Sequence, residues 1–173
     1  SGANLTEVQA PFMDRAGFGP TDLRCADLRG ADLREADFEE ATFKGANLSS
    51  ANLEGARFHR SDLSGVDLSE ALLTGTDFRY ADLSRVDLSG RDLTSTDLRR
   101  STLIGADLAG ANLSAASLWG ANLSGADLSR ADLSGARLVD VDLTGADLSA
   151  ADLSRASLMR VDLSGADLSG ANF

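Results

Sequence analysis

Residues 26–50 read ADLRG ADLRE ADFEE ATFKG ANLSS, which is five copies of one five-residue pattern. From Leu23 to Phe173 every fifth residue is Leu or Phe, giving 31 consecutive repeats without an insertion. We call this Leu or Phe the centre of a repeat. The residue two before the centre is nearly always small, and the residue just before it is usually Asp or Asn. The two residues after the centre are mostly Ser, Thr, Gly or Arg.

A period of five fits neither the 3.6-residue period of an α-helix nor the two-residue alternation of a strand. It fits a chain that turns a corner at every repeat. The small residue and the centre then point inwards, and the other three residues point outwards. Each coil would bury its apolar residues only against the coils above and below it, as in a solenoid.

The A(D/N)LXX pattern resembles the pentapeptide-repeat family, as in Ala26-Asp27-Leu28-Arg29-Gly30 and Ala126-Asp127-Leu128-Ser129-Arg130. The resemblance covers residues 21–173. It implies an all-β fold, a right-handed quadrilateral parallel β-helix with about four pentapeptides in each coil and roughly eight coils in all.

A 20-residue coil predicts that residues 20 apart are in contact, and the sequence repeats at that distance. The matching inward residues are Phe38, Phe58 and Phe78, Val66 and Val86, Val141 and Val161, and Thr76 and Thr96. Such ladders of like residues fill a narrow core evenly.

The ends of the chain depart from the pattern. Prolines and glycines interrupt residues 1–20, for which we predict a degenerate first coil that caps the β-helix. The sequence stops within a repeat at Phe173 and shows no second cap. Either the native protein continues, or the last coil stacks end to end on a second copy as a homodimer.

The sequence contains no catalytic constellation, and we predict that the protein is not an enzyme and has no cofactor or metal. Its only His, His59, and its only Cys, Cys25, fall on different faces and about two coils apart. A nucleophile pair needs hydrogen-bond reach, and zinc needs more ligands. Carboxylates are abundant, but a convex rod offers no concave site that would shift their pKa values.

The net charge of −11 is largely a property of the repeat. Of the 27 acidic residues, 19 are Asp at the position before the centre. We predict that these carboxylates accept hydrogen bonds from the backbone of the adjacent turn. A single cysteine permits no intrachain disulfide, and no apolar run is long enough to span a membrane. A cytoplasmic location is the corresponding prediction.

With four repeats in a coil the centres fall on four faces, of which one is distinctive. We call it face four; its centres are Phe38, Phe58, Phe78, Leu98, Leu118, Leu138 and Leu158. Seven arginines against six acidic residues give it a net charge of +1, which leaves −12 for the remaining chain. Its candidate binding residues are Arg57, His59, Arg60, Arg79, Tyr80, Arg99, Arg100, Trp119, Arg137, Met159 and Arg160.

Three interpretations of face four stay open at this point: neutral drift of exposed positions, a surface for a protein partner, or a surface for nucleic acid or phosphate. Trp, Tyr and Arg are the residue types that anchor protein interfaces. The acidic remainder of the rod would oppose a polyanion, so direct nucleic-acid binding is disfavoured.

Arg91 is the one charged residue at an inward position, between Ala71 and Ala111 of the neighbouring coils. Burying an unpaired charge costs several kcal/mol. We therefore predict a structural anomaly, in which the backbone distorts at Gly90-Arg91 or the side chain escapes to solvent.

Two functions follow from the sequence. The first is a non-catalytic interaction scaffold that binds an unknown protein partner along face four. The alternative comes from the resemblance, since some pentapeptide-repeat proteins bind the type II topoisomerases DNA gyrase and topoisomerase IV as DNA mimics and protect them from quinolones. An acidic rod suits that role, whereas the near-neutral face four and the lack of loop insertions from Leu23 onwards do not.

Overall fold

The computed structural model of the protein describes residues 21–173, and in this range it contains β-bridges and turns but no helix. The strands are single-residue parallel bridges at the position before each centre. Each bridge joins a residue to the one 20 further along the chain, from Asp22–Thr42 to Asp152–Asn172. The all-β fold and the 20-residue spacing between stacked coils are therefore confirmed.

A turn closes every pentapeptide. The amide of Ala26 donates to the carbonyl of Leu23 at 3.0 Å, and the same bond recurs at Ala126 and Leu123. The residue two after the centre has a positive φ, between 55° and 72°, at every repeat from Cys25 to Gly170. A type II turn requires this conformation at its third residue. Four such turns in 20 residues return the chain to its starting edge.

The interior is a single column of small residues and centres. Three phenylalanines stack along it: the ring centroids of Phe38 and Phe58 are 5.2 Å apart, and those of Phe58 and Phe78 are 5.4 Å apart. Phe43 meets Phe58 edge-on at 5.3 Å. The predicted ladder of like residues is thus present, and its rings fill the part of the rod nearest the described N-terminal end.

Ser and Thr side chains at inward positions donate hydrogen bonds to backbone carbonyls within the core. Thr76 is fully buried, and its hydroxyl donates to the carbonyls of Leu73 at 2.7 Å and Leu53 at 2.9 Å. Ser61 donates likewise to the carbonyl of Phe58 at 2.8 Å. Buried Thr and Ser therefore leave no polar group unpaired at these positions.

The aspartates before the centres accept hydrogen bonds from the backbone of the adjacent turn, as the sequence predicts. Each of the 19 accepts a hydrogen bond through Oδ1 from the amide two residues on. For example, Asp127 accepts from the amide of Ser129 at 2.8 Å. Most of the negative charge is therefore part of the turn structure.

The side chain of Arg91 reaches the surface, and the stacking is interrupted on either side of this residue, while the turn at Gly90-Arg91 itself is regular. The Arg91 side chain is 25% exposed, and its guanidinium reaches Glu70 at 3.4 Å and the carbonyl of Ser89 at 3.3 Å. Within residues 21–173, no bridge joins Asp67 to Asp87 or Leu72 to Asp92, although the regular pattern predicts both. We call this interruption between residues 66–73 and 86–92 the seam.

The seam is confined to one side of the rod. The coil of Arg91 keeps its bonds to the next coil, as in the Leu88 amide to the Asp107 carbonyl at 2.7 Å. On face four the bridge between Asp77 and Asp97 is present across the same step. Pairing between these two coils is thus lost on the two faces that flank the inward position of Arg91 and kept on the other two, as at Asp62–Asp82 and Asp77–Asp97.

The predictions for the two ends of the chain stay predictions. The cap at residues 1–20 lies outside the described residues, so the number of coils over the whole chain also stays a prediction. Near residue 173 the inward side chains of Leu158, Val161 and Leu163 are only partly buried, and Phe173 is 64% exposed. The end-to-end homodimer stays a prediction.

Candidate functional site

Face four presents three parallel columns of outward side chains. The first column holds the residues before the centres, the second those just after them, and the third those two after them. Successive residues in a column belong to stacked coils, about 4.8 Å apart. A side chain on this face can therefore contact its own coil or the coil next to it.

Five of the seven arginines of face four are paired with carboxylates of the same face. Arg79 illustrates the geometry: its Nη2 lies 2.6 Å from Asp77, and its Nε lies 3.7 Å from Asp97, which also binds Arg99. The other pairs are Arg57–Asp37, Arg60–Glu40 and Arg160–Asp140. Pairs as exposed as these contribute little to stability, but they hold the guanidinium groups in place.

Aromatic rings and arginines alternate along the middle of the face. The ring of Tyr80 meets His59 edge-on at 5.2 Å and has the guanidinium of Arg60 at 5.8 Å. The guanidinium of Arg100 lies 5.7 Å from the centre of the Tyr80 ring and 4.6 Å from that of Trp119. Arg100 has no carboxylate within 4 Å among residues 21–173, so these rings are its partners.

Trp119 is tied to the neighbouring coil by its indole nitrogen. Nε1 donates to Oδ2 of Asp140 at 3.0 Å, and Nη2 of Arg160 donates to the same oxygen at 2.7 Å. The hydrogen bonds from Arg160 and then from Trp119 lower the pKa of Asp140 from 3.8 to about 2. The ring of the only tryptophan is thus fixed between Arg100 and Asp140.

We expect the fluorescence of Trp119 to report the titration of Asp140. Because the folded-state pKa of Asp140 is lowered, its contacts with Trp119 and Arg160 persist below pH 3.8 and are lost as the pH falls through about 2. A fluorescence titration from pH 5 to pH 1.5 should therefore show a step near pH 2. Asp140→Asn should remove it; a step that survives in this variant would belong to general acid unfolding.

Two hollows flank Trp119 because small residues lie on either side of it in the same coil. Gly120 leaves a hollow of about 470 Å³ bordered by Tyr80, Arg100 and Asp140. A Cβ at position 120 would lie 3.3 Å from Cγ of Arg100, so glycine also lets that side chain lie flat. Ser117 leaves the other hollow, about 280 Å³, which Arg99 and Arg137 line.

The structure brings most of the predicted residues together. Arg79, Tyr80, Arg99, Arg100, Trp119 and Arg137 form one continuous patch around the two hollows. Met159, 58% exposed, and Arg160 lie at one end of it. Arg57, His59 and Arg60 lie at the other, where Nδ1 of His59 is buried and has no hydrogen-bond partner in the described part of the chain. Whether these residues bind a partner stays a prediction.

Sequence reasoning missed the small residues of the site. Ser117 and Gly120 resemble dozens of other outward Ser and Gly residues, and only their place beside Trp119 makes them form hollows. It also missed a shallow groove of about 460 Å³ on a neighbouring face, lined by Lys44, Ser64, Gly65, Ser84, Arg85 and Ile104. The only lysine and the only isoleucine lie there, 60 residues apart, which was an available signal.

No group of three or more His, Cys, Asp or Glu side chains is placed to hold a metal ion within residues 21–173. No helix in this range has the length and apolarity to cross a membrane.

Comparison with known proteins decides the family. The model of the pentapeptide repeats matches residues 21–173 in overlapping segments. The chain belongs to the pentapeptide-repeat family. Members of this family are right-handed quadrilateral β-helices without catalytic activity, and both statements hold for this chain. No curated protein sequence matches it significantly.

Three solved structures of pentapeptide-repeat proteins are similar to this one. HetL, involved in heterocyst differentiation regulation in the cyanobacterium Nostoc sp. strain PCC 7120, is 34% identical over 98% of this chain and 86% of its own, with a TM-score of 0.59. A protein of the Arabidopsis thaliana thylakoid lumen is 36% identical over 57% and 69% of the two chains, with a TM-score of 0.55. QnrB1, a plasmid-mediated fluoroquinolone resistance protein, is 27% identical over 99% and 89%, with a TM-score of 0.47. Because one of these proteins is lumenal, the cytoplasmic location of this pentapeptide-repeat protein stays a prediction.

Proposed function

We propose that this pentapeptide-repeat protein is a scaffold whose protein partner docks along face four. The observation that carries the proposal is the row Tyr80, Arg100 and Trp119, in which one guanidinium is held against two rings beside two hollows. Buried aromatic and arginine side chains supply most of the binding energy in protein interfaces. A hollow next to such a side chain gives a partner residue a place to enter.

The face is held in a fixed geometry before any partner arrives. Asp77 and Asp97 fix the guanidinium groups of Arg79 and Arg99, and Asp140 fixes the indole of Trp119. Immobilising a flexible side chain on binding costs about 0.5–1.5 kcal/mol. Contacts that already hold these side chains reduce that cost.

The charge distribution also favours this face. Its net charge is +1, while the remainder of the chain carries −12. At physiological ionic strength the Debye length is about 8 Å, so a partner on face four experiences mainly the charges of that face. Exposed carboxylates on the other faces keep such a partner away from them if it is acidic.

We expect the quadruple variant Arg79→Ser, Tyr80→Ser, Arg99→Ser and Trp119→Ser to lose partner binding while it keeps its fold. The measurement is affinity capture from an extract of the source organism, with circular dichroism to verify the fold. Loss of two or three anchor residues costs about 2 kcal/mol or more each, which is enough to abolish capture. The matched control is the double variant Arg29→Ser and Arg34→Ser. It removes from two other faces an arginine that is paired, like Arg79 and Arg99, with the aspartate two residues before it.

Retention of the same captured proteins by the folded quadruple variant would refute the proposal. The alternative, a DNA-mimic binder of gyrase and topoisomerase IV, rests on the acidic faces and is separated by a supercoiling assay. We expect no inhibition of gyrase and no protection from quinolones at micromolar protein. Inhibition that persists in the quadruple variant would favour the alternative.

A further inference from the structure

We propose that the hollow between Ser117 and Arg137 binds a carboxylate, supplied by an Asp or Glu side chain of an acidic segment of the partner. This inference deepens the docking function and rests on it. It concerns one of the two hollows that flank Trp119, the one lined by Arg99, Ser117, Trp119 and Arg137.

Among the described residues 21–173, Arg137 is the arginine of face four that lacks a partner. Five of the seven arginines have a carboxylate within 4 Å, and Arg100 lies against two aromatic rings. Within residues 21–173, Arg137 has neither an ion pair nor a side-chain hydrogen bond. It neighbours Ser117 on the bridge that joins their two coils. A ligand carboxylate would therefore complete the pairing that the other arginines of the face already have.

The remaining polar groups of this hollow are also donors. Arg99 uses Nε and Nη2 to bind Asp97 and leaves Nη1 without a described partner. The hydroxyl of Ser117 likewise makes no hydrogen bond among residues 21–173. Two guanidinium groups and a hydroxyl can together satisfy both oxygens of one carboxylate.

The column explains why space is available at this point. Ser117 lies between Asp97 and Arg137 in the column of residues before the centres, so the smallest of the three side chains stands in the middle. The resulting hollow of about 280 Å³ opens beside the ring of Trp119. The ring would cover the methylene groups of an Asp or Glu side chain while its carboxylate reaches the donors.

The charge of the hollow favours a carboxylate over a phosphate. Asp97 already neutralises Arg99, so Arg137 contributes the single uncompensated positive charge. One positive charge matches a carboxylate monoanion, whereas a phosphate dianion would keep one uncompensated negative charge close to Asp97. Among the described residues no carboxylate lines the hollow itself, so a basic segment would find no acceptor there.

The test uses acetylated tetraglutamate amide as the probe and the fluorescence of Trp119, the only tryptophan, as the readout. We expect a saturable change on titration with tetraglutamate and none with tetralysine. Arg137→Gln should weaken binding about tenfold or more, because it removes a charge-assisted hydrogen bond. Ser117→Ala should weaken it about threefold by loss of a neutral hydrogen bond. Arg155→Gln is the matched control and should bind as the wild type does, because it removes from another face an arginine that has no ion pair within residues 21–173.

Three results would overturn the carboxylate assignment: no saturable change with tetraglutamate, equal binding by Arg137→Gln, or binding of a phosphoserine peptide in preference to tetraglutamate. If these occur while the quadruple variant still loses its partner, the docking face stands and the carboxylate site falls. If tetraglutamate binds as expected but the quadruple variant keeps its partner, the site stands and the docking function falls. The two proposals can thus fail separately.

Discussion

Replacing Phe58 by alanine is expected to lower the free energy of unfolding by about 3–5 kcal/mol, the usual cost of deleting a fully buried aromatic ring. Phe58 has no exposed surface and is stacked between Phe38 and Phe78 at centroid distances of 5.2 and 5.4 Å. Its removal leaves a cavity against both neighbouring coils at once. The coils cannot close on it, because their spacing is set by backbone hydrogen bonds such as the Phe58 amide to the Asp77 carbonyl at 2.7 Å.

Chemical denaturation followed by circular dichroism measures this loss. Phe58→Leu is the matched control, because leucine is the centre residue of face four from Leu98 onwards. It should cost much less than Phe58→Ala. A loss below about 1 kcal/mol for the alanine variant would mean that the ring is not packed as the stacking distances indicate.

The opposite change is expected at Arg91, where alanine should raise the free energy of unfolding by about 2 kcal/mol or more through backbone bonds that each contribute about 0.5–1.5 kcal/mol. Alanine is the residue of the neighbouring coils at this position, Ala71 and Ala111. It would let residues 86–92 close onto residues 66–73 and form the two bridges that the seam lacks. The cost is the exposed pair between Arg91 and Glu70, which contributes about 0–1 kcal/mol.

Amide hydrogen exchange locates the gain as well as measuring it. In the Arg91→Ala variant the amides of Asp87 and Asp92 should become protected, because they would donate across the closed seam. Arg85→Ala removes an outward arginine at a turn position and should change stability by less than about 0.5 kcal/mol. Unchanged exchange at Asp87 and Asp92 would show that the inward guanidinium is not what parts the coils.

The sequence predicts the coil almost completely, because a strict five-residue period leaves little freedom. The inward centres follow from the five-residue period. The 20-residue pairing is what the resemblance to the pentapeptide-repeat family implies, and the like residues 20 apart, the stacked phenylalanines among them, support it. The role of the aspartates follows from a short acceptor placed beside a turn. For Arg91 the sequence offers two outcomes. The side chain reaches Glu70 at the surface, whereas the turn at Gly90-Arg91 keeps its regular hydrogen bonds and the two adjacent bridges are missing instead.

The candidate site is less predictable, because it depends on which side chains meet across coils. Rare residue types locate face four, but they do not reveal that five of its arginines are already paired, whereas Arg137 has no partner within residues 21–173. The hollows arise at Ser117 and Gly120, whose residue types are common everywhere on the rod. Their significance depends on the neighbouring indole, and that ring is positioned by Asp140, 21 residues further along the chain.

The seam leaves the rod with one unpaired side and one continuously paired side. Two faces lose their pairing between residues 66–73 and 86–92, while the bridge between Asp77 and Asp97 continues along face four. Further separation of the two coils on the unpaired faces must then rotate them about the paired faces, which act as a hinge. Such a rotation would change the curvature of face four between Arg79 and Arg99 and leave the spacing of its columns unchanged. A partner laid along that face would therefore meet a surface that can adjust to its shape at one place, without losing the register of its contacts.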